Sequence, residues 1–253
     1  NTDKAMQIVL EGLDKGAGRK TELYAFVQEH LHAQGDIDGI FGLLKRKVEN
    51  KNLDDHSDLA HDSTYQYLSA HYKSTHDYQG QVKLLEFRLT VDQINLDFYK
   101  EAEEILNPAD WATFEEKMLQ RLRKAIQEKR SAEFSWARDT RVENQTLAEI
   151  YDYKNDVGKL FEVASTDVAL LVKYEAKLLP HHPDIYVERY AGEIDRLISA
   201  RGRENYQVAA KYAQQVKRIY QTILKTPDKW GEYIDDLRSK NKKLRALQEE
   251  LWK

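Results

Sequence analysis

Two stretches of the chain echo each other about 120 residues apart, and an internal echo restricts the fold to something built by duplication. Asn107-Pro108-x-x-Trp111-x-x-Phe114-x-x-x-Met118 returns as Thr226-Pro227-x-x-Trp230-x-x-Tyr233-x-x-x-Leu237. Ahead of each, Asp36-Ile37-x-x-Ile40-Phe41-x-Leu43 returns as Asp156-Val157-x-x-Leu160-Phe161-x-Val163. Matching pairs at matching offsets predict a helical array whose repeats stack side by side, because one repeat alone cannot shelter its apolar face from water.

The spacing of apolar residues says what the repeats are made of. They recur with a helical period almost everywhere, and strict alternation over strand length is hard to find. Ile37, Ile40, Phe41, Leu44 and Val48 form one stripe, with Asp36 placed to cap it. Trp111, Phe114, Met118, Leu122 and Ile126 form another, entered through Asn107 as cap and Pro108 at the first helical position, where a missing N–H costs nothing. Thr226 and Pro227 repeat that entry ahead of Trp230. Trp111 and Trp230 fall in the first turn and read as wedges between neighbouring helices. The expectation is an all-α, tetratricopeptide-like α-solenoid of helix pairs, roughly a dozen helices in all with connections of ordinary length. Its two similar halves are expected at 1–143 and 144–253, packed as one continuous array, with weak stretches at 51–62 and 131–144.

Composition agrees and removes several kinds of function. Of 253 residues, 32% are charged and 41% hydrophobic, with four prolines and eleven glycines, which suits long amphipathic helices better than a many-turned sheet. The net charge of -4 gives no general affinity for nucleic acid or anionic lipid, although the start of the chain leans acidic and its last fifty or so residues lean basic. Cysteine is absent, so the chain has no disulfide, no thiol catalysis and no cysteine-held zinc. No apolar run approaches the roughly 20 residues that span a bilayer, so the expected compartment is the cytoplasm and no membrane partner is expected. A first residue of Asn1 rather than methionine points to a piece of a longer protein.

Candidate chemistry is thin. The best metal ligands are His56, Asp58, His61 and Asp62, beside Asp54 and Asp55, but His56 and His61 diverge on a helix and a solvated loop is the simpler reading. Gly12-x-x-x-Gly16-x-Gly18 lacks the lysine and hydroxyl residue of a phosphate loop. No catalytic residue and no cofactor is therefore assigned. Arg238, Lys240, Lys242, Lys243 and Arg245 concentrate positive charge that can neutralise phosphates, against a default role in capping and solubility. The tyrosines are expected at groove edges, where their hydroxyls meet water or a bound peptide.

One family resemblance covers about the last seventy residues. His182-Pro183-x-x-Tyr186-x-x-x-Tyr190-x-x-x-Ile194-x-x-Leu197-Ile198 is followed by Arg203-x-x-Tyr206-x-x-Ala209-x-x-Tyr212 and Val216-x-x-Ile219-Tyr220. The run closes with Trp230-x-x-Tyr233-x-x-x-Leu237 and Leu244-Arg245-Ala246-Leu247-x-x-Glu250-Leu251. This resembles the C-terminal helical region of bacterial SWIM-type zinc finger proteins. The resemblance implies a zinc module upstream that contacts DNA or protein, and a helical tail without a defined activity. With no cysteine here, no zinc ligand carries over. The functional expectation is a non-catalytic helical-repeat scaffold that binds a protein partner. A nucleic-acid-associated accessory domain using the basic C-terminal helix stands second, and a metal-dependent hydrolase third.

Overall fold

A computed structural model describes residues 2–15, 20–53 and 58–251. Among these the chain is all-helical, with no β-strand, and it divides into two compact units that part between Leu122 and Arg123. The first unit holds α1 (Thr2–Asp14), α2 (Lys20–Gln34), α3 (Ile37–Glu49), α4 (Ser63–Ser74), α5 (Tyr78–Val91), α6 (Leu96–Ile105) and the start of α7 (Pro108–Arg130). The second contains the rest of α7, then α8 (Arg141–Tyr153), α9 (Val157–Ala164), α10 (Val168–Lys173), α11 (Glu175–Leu178) and α12 (Pro183–Ala200). It closes with α13 (Arg203–Arg218), α14 (Pro227–Lys240) and α15 (Arg245–Leu251). The division thus falls inside α7, and the segment 131–144 lies within the second unit, carrying a 3-10 turn at Ser135–Arg138 and the first residues of α8. The apolar stretch Val168 to Leu178 is divided at Tyr174 into α10 and α11.

One turn is used three times. The helix before it ends on a left-handed residue, Gly35 (φ 69), His76 (φ 57) or Asn155 (φ 55), followed by an aspartate that begins the next helix. The aspartate's N–H donates to the carbonyl five residues back: Asp36 to Leu31 at 3.0 Å, Asp77 to Tyr72 at 2.9 Å, Asp156 to Tyr151 at 2.9 Å. Its side chain then accepts the third helical N–H: Gly39 to Asp36 at 2.8 Å, Gly80 to Asp77 at 2.9 Å, Lys159 to Asp156 at 3.0 Å. Orphan carbonyls of one helix and orphan amides of the next are satisfied together, so two residues suffice to reverse the chain. The copies at Asp36 and Asp156 are the ones the sequence echo singled out; the copy at Asp77 is additional. Its interval to Asp156 is nearly twice that from Asp36, and at the intermediate position α7 runs on without a turn.

The echoed proline entries are realised unequally. Asn107 Oδ1 accepts from the N–H groups of Ala109 and Asp110, both at 3.0 Å, and caps α7. Thr226 precedes Pro227 at the head of α14 but makes no side-chain cap; its buried Oγ1 has no hydrogen-bond partner among the described residues. Trp111 sits edge-on to Tyr99 at 4.8 Å and Trp230 lies 5.9 Å from Tyr233, each half-buried rather than driven into a core.

In the first unit, consecutive helices α1 to α5 pack in order, over a core that includes Ile40, Phe41, Leu44, Leu59, Tyr65, Leu68, Tyr72 and Leu84. In the second, α12 and α13 pack along their length through Tyr190, Ile194, Leu197, Ala209 and Ala213, whose small alanines let the helices approach closely. α13 continues into a π-helical turn at Ile219–Ile223. No helix among the described residues is long and apolar enough to cross a membrane.

Candidate functional site

The first unit collects its charged residues where α3, α4, α5 and α6 meet, at the end of the stretch 51–62. A 3-10 turn, Leu59–His61, is capped by Asp58, which accepts from the Ala60 N–H at 2.9 Å. Asp62 follows and caps α4, accepting from Thr64 and Tyr65. Its carboxylate is wholly buried and lies 2.6 Å from the ammonium of Lys47, which is buried too. Lys47 also donates to Thr64 Oγ1 at 3.4 Å, and that hydroxyl donates to Gln28 at 2.7 Å. Buried charge persists only when paired and hydrogen-bonded in this way.

Arg88 is the hub of the second cluster. It is 3% exposed, and its guanidinium donates to Asp92 at 2.9 Å, Glu101 at 2.5 Å and Asp58 at 3.1 Å. One face of the guanidinium lies 4.3 Å over the Phe98 ring. Asp92 also accepts the Leu59 N–H, which ties the 3-10 turn to the end of α5. Asp58 and Asp92 lie within hydrogen-bonding reach of each other beside Arg88, which favours the protonated form of Asp92 and the ionised form of Asp58. Burial, reinforced by that bond, pushes Asp92 up to about 6 despite the Leu59 N–H and Arg88. Burial works on Asp58 in the same direction, but its bonds from Asp92 and the Ala60 N–H, with the charge of Arg88, hold it below the usual carboxylate range. Burial, and then the Glu101 carboxylate, raise the phenol of Tyr65.

Above this cluster opens a cleft of about 630 Å³. It is lined by Ser69 and Lys73 of α4, by His76, by Tyr78 and Gln81 of α5, and by Glu101, Glu104 and Ile105 of α6. Two of these groups are fixed. Glu101 is held by Arg88, and the Tyr78 hydroxyl donates to Asp110 at 2.5 Å while accepting from the backbone N–H and side-chain amide of Asn107. The side chains of Ser69, Lys73, His76, Gln81 and Glu104 have no partner among the described residues.

The residues singled out from sequence are placed elsewhere or already engaged. Asp58 and Asp62 are held by Arg88 and Lys47, and His61 is exposed, with its ring nitrogen 4.0 Å from Asp58. His56, with Asp54 and Asp55, lies outside the described residues, among which no three His, Asp or Glu side chains are grouped to hold a metal. Of the basic C-terminal set, Lys240 pairs with Asp236 at 2.6 Å and Arg245 with Glu249 at 3.3 Å, while Arg238 donates to the Leu251 carbonyl at 3.0 Å. Lys242 and Lys243 are exposed without an ion pair among the described residues. Tyr65, Tyr72, Tyr99, Tyr151, Tyr186 and Tyr190 are buried core residues rather than groove-edge groups, whereas Tyr78 lines the cleft. Their hydroxyls find internal partners instead, Tyr99 on Glu115 and Tyr151 on Arg123.

Sequence reasoning missed Arg88, Asp92 and Glu101. The available signal was a charged residue inside an apolar stripe: Arg88 lies between Leu85 and Leu89 and four residues before Asp92, so it shares their buried face.

Compared with known proteins, 111 residues, 44% of this chain, are 32% identical to the "Uncharacterized protein YwqB" of Bacillus subtilis (strain 168). The chain spans 19% of that protein's length. No family model matches the chain. No solved structure matches it either.

Proposed function

We propose that the chain is a non-catalytic helical-repeat scaffold for protein–protein interaction in the cytoplasm, a tetratricopeptide-like array forming the C-terminal helical part of a SWIM-type zinc finger protein. The observation that carries the scaffold reading is the threefold use of one capped turn, at Asp36, Asp77 and Asp156. Reusing a supersecondary unit generates like-angled helix pairs, and extended surfaces made of such pairs suit the binding of other proteins. Exposed apolar side chains supply anchors for a partner, Phe26 in the first unit and Val172 and Val208 in the second. Zinc in this reading is held outside the chain, whose own donor set lacks cysteine.

The test is to purify the longer protein with and without this segment, identify what co-purifies, and rebuild the strongest complex from purified components with this chain alone. Retention of the partner by the isolated chain is the expected result; dependence on the remainder of the protein alone overturns the reading. The nucleic-acid alternative rests on Lys242 and Lys243. It is supported only if duplex binding weakens steeply with salt and disappears when those two lysines are neutralised. The hydrolase alternative requires stoichiometric metal after purification without chelator.

A further inference from the structure

We infer that the cleft between α4, α5 and α6 binds a mixed-charge peptide segment of a partner protein, which sets an acidic side chain against Lys73 and a basic one against Glu104. This deepens the scaffold reading and rests on it. Two exposed charge pairs of the first unit span helices, Lys83 with Asp38 at 2.8 Å and Lys117 with Glu86 at 3.1 Å. Lys73 of α4 and Glu104 of α6 line the same cleft without a partner among the described residues. A purely anionic occupant would meet Glu104, and a purely cationic one would meet Lys73, so complementarity selects a ligand carrying both signs.

The rest of the cleft suits a length of peptide. Its volume of about 630 Å³ falls within the range of specific binding clefts, roughly 300–1,000 Å³, and exceeds what one side chain fills. Ser69 and Gln81 each offer a donor and an acceptor with no internal claim on them, as an extended backbone requires. Glu101, neutralised by Arg88, and Tyr78, held by Asn107 and Asp110, make walls that need no reordering on binding.

The inference is tested with the whole chain and three fluorescent peptides of equal length, one alternating Glu and Lys, one all Glu and one all Lys, read by anisotropy at low salt. The alternating peptide is expected to bind at least about tenfold more tightly than either other. Lys73→Glu and Glu104→Lys are each expected to weaken it about fivefold or more, and the double exchange to restore it, since an alternating peptide can shift register. Equal binding of the three peptides, no binding, or indifference to both substitutions overturns the cleft assignment. Displacement of the peptide by free lysine and glutamate also overturns it, because the occupant would then be a small zwitterion. A partner from the co-purification experiment that binds the Lys73→Glu and the Glu104→Lys single variants as tightly as the unsubstituted chain would sink the cleft and leave the scaffold standing, whereas absence of any partner would sink the scaffold.

Discussion

Beneath the turn at Asp77 lies Tyr72, and Gly80 packs on it so closely that a Cβ would come within 2.3 Å of the ring. Beneath the equivalent turn at Asp156 lies Tyr151, and the position of Gly80 is taken by Lys159, whose ammonium stands 5.8 Å over the ring. The backbone solution is the same and the packing under it is not. The contrast extends into the interiors. The first unit buries ions, Lys47 against Asp62 and Arg88 against Asp58, Asp92 and Glu101. Both units bury phenols, and in the second these are tied to backbone and carboxylate: Tyr186 donates to the Leu171 carbonyl and Tyr190 to Glu175, both at 2.8 Å, with Glu175 also held by Arg218. A phenol brings a large apolar ring and one polar atom that a single bond satisfies, whereas a buried guanidinium needs every neighbour in place. The turn is therefore a module that tolerates either core, and the two units should fail in different ways.

The largest effect is expected at the hub. Arg88→Met leaves Asp58, Asp92 and Glu101 without their cation, and should cost about 3–5 kcal/mol in urea denaturation. A loss below about 1 kcal/mol would mean that the first unit does not depend on its buried ions. Next comes the turn itself: Gly80→Ala should cost about 1–3 kcal/mol by crowding Tyr72, while Lys159→Ala should stay within about 0.5 kcal/mol. Equal losses at the two positions would erase the distinction between the copies. Tyr190→Phe removes one hydrogen bond but leaves Glu175 its arginine, so about 1 kcal/mol is expected from the shift in denaturation midpoint.

The subtlest expectation concerns pH. Folded Asp92 keeps its proton to about pH 6, above the ordinary aspartate value of 3.8, so it contributes stability that is full below the lower value and is lost as pH rises through the higher one. Asp92→Asn retains both hydrogen-bonding roles and cannot titrate. The stability of the protein relative to this variant should therefore decline between about pH 4 and pH 7, measured by denaturation at each pH. A flat difference would show that folded Asp92 does not hold its proton over that range.

Several elements are legible in the order of residues alone. Asp36 and Asp156 announce their caps, Asn107-Pro108 announces α7, and the stripe from Tyr206 to Val216 announces α13, because caps and amphipathic periods are local. The third turn escapes notice because its left-handed residue is His76 rather than glycine or asparagine, and Tyr78 where the other copies carry Ile37 and Val157 blurs the echo. Thr226 has the right identity for a cap and does not act as one, since its neighbours bury the hydroxyl instead.

What the sequence determined by itself is the helical class, the absence of cysteine chemistry and the placement of the caps at Asp36, Asn107 and Asp156, all of which follow from residue type and spacing within a few turns. Only the tertiary structure decided which charges are buried, which tyrosines face inward, and which polar groups converge on a cleft without partners. Those outcomes depend on residues brought together from separate elements, Asp58 with Arg88 and Lys73 with Glu104 in the lining of one cleft, and spacing along one helix carries no record of what another helix places against it.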